Sequence, residues 1–298
     1  MRKESIECIY ELAKKDKSIV FIGSDLGAGT LDKYQRELPH QFLMEGISEA
    51  HIVSMAAGLA LTGSKVFIHT IAPFFVRRAL EQIILDIGAE NLDVCILCSG
   101  GGLVYGPLGH SHTMVDDFAI LSTTPNLKLF APSDAREMVH ILQSVSKNHG
   151  PSYIRMGKGN ESTVQRDLST RLIRSEVKNK NIVITTGIML QRCIAIQTTL
   201  KNFDILHLAQ ISPLDKESIV HHLRDKENII VIEEHMRIGG LYSRVLDILN
   251  RSELTQRKIE SISLGDQYIY QYGKQEQLHE ILKIDEESLL HRIKECIK

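Results

Sequence analysis

No stretch of this 298-residue chain approaches the ~18 uninterrupted apolar residues of a membrane-spanning helix. The amino-terminal MRKESIECIYELAKKDKS reads as an amphipathic helix without a long apolar core. That pattern argues against membrane insertion and a secretory leader, and a cytoplasmic protein is expected. Charge excess of either sign is also missing: 35 Lys and Arg stand against 37 Asp and Glu, a formal −2, so no polyanion-binding surface and no nucleic-acid partner is expected. The five cysteines are scattered. Cys95 and Cys98 lie in the apolar run Val94 to Cys98, which reads as a buried strand, and no second pair completes a zinc site. Internal repeats and low-complexity tracts are absent as well. What is present is 43% hydrophobic content with 24% charged residues, enough to bury the cores of about two globular domains.

Short β-rich runs alternate with helical periods from end to end. Ser18 to Gly23, Lys65 to His69, Asp93 to Cys98, Leu127 to Ala131 and Ser152 to Arg155 read as strands with amphipathic helices between most of them. The alternation predicts an α/β fold whose largely parallel sheet carries helices on both faces. A polar, charge-rich stretch interrupts it, and residues 161–180 are expected to link a domain at 1–160 to a smaller α/β domain at 181–298. In the second domain the strands fall at Asn181 to Thr186, Asp204 to Leu208 and Asn228 to Glu233, with helices at Gln191 to Lys201, Lys216 to Leu223 and Gly240 to Asn250.

Ligands of open sheets sit at the carboxyl ends of the strands, so the loops after Gly23, His69, Cys98 and Arg155 are where chemistry is sought. Between the first two of these strands, Phe42 to Ala60 sets acidic side chains beside a turn at Gly46, and Ser48 to Leu61 then reads as a helix in which Ala56, Ala57, Gly58 and Ala60 allow close packing. Glu49 opens that helix. Burial without a cationic partner would raise its pKa and let it hold and exchange a proton with a ring nitrogen; the alternative is an exposed first-turn acid favoured by the helix dipole. Ser99 to Thr113 is too rich in glycine to be only a spacer. Its His110 and His112 would point oppositely in a strand, which argues against one shared metal, and His112 is the candidate hydrogen-bonding or proton-transfer group. Thr70 to Gln82 offers two aromatics followed by two arginines, suited to core packing or to stacking on a planar ring.

Phe42 to Ala60, Phe75 to Gln82, Gly109 to Thr113, Ala131 to Asp134, Gly150 to Arg155 and Ile232 to Leu241 occur in the order seen in transketolases and deoxyxylulose-phosphate synthases, and the whole chain resembles their C-terminal half. The resemblance implies a thiamine diphosphate enzyme, with a pyrimidine-binding domain followed by the transketolase C-terminal domain. On it, Glu49 matches the glutamate that hydrogen-bonds the aminopyrimidine ring nitrogen, Phe75 the aromatic that stacks on the pyrimidine, and Arg78 an arginine of the synthase pattern. Asp25 and Leu26 resemble the segment that reaches cofactor and substrate from the first strand. His112 falls on the histidine beside the reacting carbon, where a donor stabilises a developing alkoxide.

Departures from the family pattern bear on substrate. Gly100 to Gly102 replace a phosphate-binding histidine or arginine, Gly29 stands in place of a serine, Lys158 in place of an arginine that grips phosphate, and Leu108 in place of an aspartate that contacts sugar hydroxyls. These speak against ordinary pentose and hexose phosphates and for a ketol transfer onto a modified or nucleotide-linked sugar; Lys158 keeps phosphate binding open as a point charge. The diphosphate-binding half, with its Gly-Asp-Gly and later Asn that ligate Mg²⁺, has no counterpart here, since Gly265-Asp266 lacks the second glycine. A separately made partner subunit is therefore expected to bring that domain and most Mg²⁺ ligands, in an α2β2 assembly, with this chain inactive alone. Met1, opening directly into the first helix, is expected of such a subunit. Two alternatives remain: the β subunit of a 2-oxo acid dehydrogenase, which the Gly-His-Ser-His segment fits less well, and a non-catalytic scaffold. Glu233, Glu234 and His235 are expected to be structural or interface residues.

Overall fold

A computed structural model describes residues 1–24, 31–157, 161–173 and 179–297. Apolar runs rich in Ile and Val become the central strands, and shorter or more polar runs form the edges. In the first half these are β1 (Ile19–Gly23), β2 (Phe42–Met44), β3 (Lys65–Ile71), β4 (Val94–Ser99), β5 (Lys128–Phe130) and β6 (Ser152–Met156); in the second, β7 (Leu172–Ile173), β8 (Asn181–Thr185), β9 (Asp204–His207), β10 (Gln210–Ser212), β11 (Asn228–Ile232) and β12 (Lys258–Ile262). Every residue of β1 and β4 is buried, as a strand with helices on both sides requires.

The described strands form two sheets, ordered β10-β5-β6-β4-β3-β1-β2 and β12-β11-β8-β9-β7. All pairings are parallel except β10 on β5 and β7 on β9. Four of these strands, β2, β7, β10 and β12, are absent from the sequence reading, and two of them alter its domain layout. β7 arises inside the stretch expected as a linker, where Leu172 and Ile173 pair with Leu206 and Ile205. β10 comes from the second half yet completes the edge of the first sheet, where Gln210 faces Phe130. Both are too short and too polar in context to show a period-two signal.

The halves share one apolar core: Ile22, Ile68 and Ile96 of the first sheet belong to the same cluster as Ile184 and Val231 of the second. A polar contact also joins them. Glu137, on the helix Ala135–Lys147, has Oε2 2.8 Å from His207 Nε2 at the end of β9 and accepts from the Arg166 guanidinium. Ser133 donates to the same carboxylate from its amide at 2.7 Å and its hydroxyl at 2.9 Å. Burial would raise the Glu137 carboxyl, but His207, Arg166 and Ser133 outweigh it and hold the pKa at about 2.

Candidate active site

The carboxyl ends of β1, β3 and β4 lie side by side, Gly23 opposite His69 and Thr70 opposite Cys98. After β2, Gly46 turns the chain at φ +66°, a conformation that favours glycine, and delivers Glu49 as the first residue of the helix Glu49–Leu61. Glu49 is 8% exposed. Its Oε1 accepts from Arg78 Nη1 at 3.0 Å. Glu49 is therefore not the unpaired acid that the sequence reading supposed. In the same helix Ala56 and Ala57 are buried, but Gly58 is exposed and a methyl there would touch nothing in this chain.

The helix Ala72–Arg78 decides which aromatic faces the site. Phe75, expected to stack on the cofactor ring, is fully buried in the core with Ile52, Ile68 and Ile96. Neighbouring helical residues point about 100° apart, so it is Phe74 that lies half-buried beside Glu49's partner. The Arg78 guanidinium carbon stands 4.4 Å from the Phe74 ring centroid. The His112 ring meets Phe74 edge-on at 4.9 Å. Two adjacent phenylalanines carry no sign in the sequence of which one faces inward.

His112 occupies a tight turn, His110–His112, rather than a strand, and its Nδ1 lies 3.0 Å from Ser111 Oγ. The two histidines still diverge, His110 toward Tyr270 and His112 toward Phe74. Asp25, Leu26, Gly29 and Lys158 lie outside the described residues.

The glycines of this loop serve close approach. Gly102, at φ +67°, exchanges backbone hydrogen bonds with Met114, donating at 2.6 Å and accepting at 2.9 Å. A Cβ on Gly102 would come 2.0 Å from Glu234 Oε2, and one on Gly101 2.1 Å from the Arg155 side chain. Leu103 N donates to Glu234 Oε1 at 3.3 Å, and Arg77 pairs with Asp116 at 2.8 Å on the loop's far side. Glu234 is in turn 2.6 Å from His279 Nε2 and accepts from Gln275 at 2.8 Å.

Beneath the loop Asp117 accepts from Tyr153 at 2.7 Å and Arg155 Nε at 2.8 Å, and Arg155 Nη1 donates to the Glu234 carbonyl at 2.9 Å. Burial acts to raise the Asp117 carboxyl, but Arg155 prevails and holds it below the ordinary range. His235 stacks on Phe118 at 5.3 Å. Glu233 caps the helix Leu241–Asn250, accepting from the Leu241 and Tyr242 amides at 2.7 and 2.9 Å; burial pushes its carboxyl up to about 7 against those bonds. Glu234 and His235 thus tie the second half to the first, Glu234 through Leu103 of the loop bearing His112 and His235 through Phe118, while Glu233 stays within the second half. Among the described residues no group of three or more His, Cys, Asp or Glu is placed to hold a metal ion, and no helix is long and apolar enough to cross a membrane.

Two α/β units, with a carboxylate, an aromatic and a histidine gathered at the carboxyl edge of the first sheet, are the architecture of the C-terminal half of a transketolase-type enzyme. Residues 1–162 match the transketolase pyrimidine binding domain and residues 171–289 the transketolase C-terminal domain. The chain belongs to the transketolase family, whose members are thiamine diphosphate enzymes of transferase type. It is 30% identical over 307 residues to one of the subunits of apulose-4-phosphate transketolase from Phocaeicola vulgatus, covering 100% of this chain and 97% of that protein. A putative transketolase C-terminal section of Methanocaldococcus jannaschii is 30% identical over 310 residues, covering 100% and 96%. The 1-deoxy-D-xylulose-5-phosphate synthase of Fusobacterium nucleatum is 30% identical over 299 residues, covering 97% of this chain but 49% of that longer protein. Among solved structures, a split gene transketolase in an inactive beta4 tetramer superposes with TM-score 0.87 at 25% identity, covering 99% of this chain and 97% of that one. Campylobacter jejuni transketolase superposes at TM-score 0.78 and 15% identity, covering 98% of this chain and 46% of that one, a likeness of fold.

Proposed function

We propose that this chain is the pyrimidine-binding subunit of a split transketolase, moving a two-carbon ketol unit between sugars once a second subunit supplies the diphosphate-binding half in an α2β2 assembly. The observation that carries the reading is the grouping of Glu49, Arg78, Phe74 and His112 at the carboxyl edge of the first sheet. The donor set suits an aminopyrimidine ring: a largely covered carboxylate to share a proton with a ring nitrogen, and a half-buried aromatic to stack on the ring. When bound, thiamine diphosphate supplies the nucleophilic carbon. Glu49 then holds the shared proton, Phe74 fixes the plane of the ring, and His112 donates to the oxygen on which charge develops. Arg78 engages both Glu49 and Phe74, so entry of a ring requires its guanidinium to move aside. Asp25 and Leu26 would reach the cofactor, and Gly29 and Lys158 the substrate. The first domain, 1–160, holds this machinery; the second, 181–298, braces it from Glu234, with 161–180 between them. Mg²⁺ would be ligated mainly by the partner.

Names of the relatives support a divided enzyme, since the Phocaeicola vulgatus protein is named as one subunit of its transketolase and the solved split gene transketolase is an inactive beta4 tetramer. The test is calorimetric titration of thiamine diphosphate with Mg²⁺ into the chain alone and into the complex with its co-produced partner. Binding and ketol transfer are expected only in the complex. Tight binding to the chain alone overturns the split-site reading.

A further inference from the structure

The helix Ala72–Arg78 sets Phe74 and Arg78 four positions apart on one face, so the arginine can lay its planar end back over its own helix. It does so, with the guanidinium carbon 4.4 Å from the Phe74 ring centroid. From that place Nη1 donates to Glu49 Oε1 at 3.0 Å, and Glu49 is the only hydrogen-bonding partner of Arg78 among the described residues. The neighbouring Arg77 is committed to Asp116 at 2.8 Å. Exposure divides the pair unequally: the Arg78 side chain is 52% exposed, that of Glu49 9%. The cation can therefore leave to water by rotation of its own side chain, while the carboxylate stays where the helix Glu49–Leu61 fixes it.

A guanidinium and an aminopyrimidine offer the same two features to such a cleft, a flat face for the aromatic and an edge of nitrogen for the carboxylate. We infer that the Arg78 guanidinium is an internal occupant of the pyrimidine subsite, so that thiamine diphosphate loads by exchange. The ring takes over the Phe74 face and the Glu49 carboxylate, and the guanidinium goes out to solvent. The inference rests on the reading of Glu49 and Phe74 as that subsite and adds a regulatory step to it. A competitor tethered one helical turn from Phe74 has an effective concentration at the cleft on the order of mM, and dilution never removes it. The pyrimidine by itself is then a poor ligand. Displacement draws on the binding energy of the diphosphate, which on the split-enzyme reading is gained through the partner subunit. Arg78 thus makes cofactor loading depend on assembly, and it keeps other flat, nitrogen-edged molecules out of the cleft of the unassembled chain.

The test titrates thiamine diphosphate with Mg²⁺ into the complex with its partner by calorimetry. The unaltered chain is compared with Arg78→Ala and with Arg78→Met, which keeps an apolar stem on Phe74 in case the shorter side chain disturbs folding. Both variants are expected to bind about tenfold more tightly, because one charge-assisted hydrogen bond and one cation–π contact no longer have to be broken. Millimolar methylguanidinium is expected to weaken binding to both variants by refilling the cleft, and to leave the unaltered complex nearly unaffected. Ketol transfer to glycolaldehyde by the unaltered complex is followed in parallel. Unchanged affinity in the variants, or no competition by methylguanidinium, means that the guanidinium does not hold the place of the ring. Weaker binding means that Arg78 grips the cofactor itself. Each of these results overturns the inference, and ketol transfer by the unaltered complex then leaves the reading of the site standing. If the unaltered complex neither binds thiamine diphosphate nor transfers a ketol unit, that reading falls and the inference falls with it.

Discussion

Glu49 and Phe74 concentrate what a single residue contributes. Glu49→Gln keeps shape and the capacity to accept from Arg78 but removes the exchangeable proton, so ketol transfer by the assembled enzyme is expected to fall about 10²–10⁴-fold with little change in fold. A loss below tenfold in steady-state turnover would take Glu49 out of the proton-transfer role. The adjacent phenylalanines separate function from packing. Phe74→Ala is expected to weaken thiamine diphosphate binding in calorimetry at nearly unchanged stability, whereas Phe75→Ala, fully buried, should destabilise the chain by about 3–5 kcal/mol in urea unfolding. Glu49 drew notice as an acid at a glycine turn, a local pattern, whereas Arg78 was singled out from two adjacent arginines by the family resemblance. Whether Phe74 or Phe75 faces the site was not legible, because that choice depends on helix phase relative to the sheet. The Arg78 partner of Glu49 was equally hidden, being a contact across 29 positions of sequence.

At the scale of elements, the strands with an apolar run were readable to within a residue or two, because burial on both faces demands such runs. β2, β7, β10 and β12 were not, since their place is fixed by partners distant in sequence rather than by their own pattern. The glycine-rich loop was recognised as more than a spacer, but its physics is packing. Gly102→Ala would place a methyl against the Glu234 carboxylate and force a side chain into a left-handed backbone conformation. The expected result is a loop displaced from Glu234. Its signature is at least tenfold lower turnover of the assembled enzyme, accompanied by changed amide exchange at residues 102–114. Activity equal to that of the unaltered chain would show that the loop's path near His112 does not depend on this contact.

For the whole molecule, the buried carboxylate of Glu137 links acid stability to the union of the two halves. Its pKa of about 2 lies below the ordinary 4.5 of an unfolded glutamate. The stabilisation is therefore fully present above about pH 4.5 and is lost as pH falls through the interval down to about 2, amounting to about 3 kcal/mol. Glu137→Gln is expected to lower stability by a similar amount at pH 7, because Arg166 loses its buried counter-charge. The same variant should flatten the decline seen on going from pH 5 to pH 3 in urea titrations; an unchanged acid limb would assign acid sensitivity to other carboxylates.

β10 carries a consequence for how the polypeptide can be divided. Gln210 to Ser212 belong to the second half by chain order and to the first sheet by hydrogen bonding. Separately produced halves, broken between β6 and β7, would be unequal: the first would present the bare edge of β5, a template for pairing with any passing strand. Supplied together, the two pieces would have a ready-made reason to find each other, the second filling that edge and bringing His207 to Glu137. The cut that leaves soluble, independent parts therefore does not lie at the apparent boundary between the two sheets.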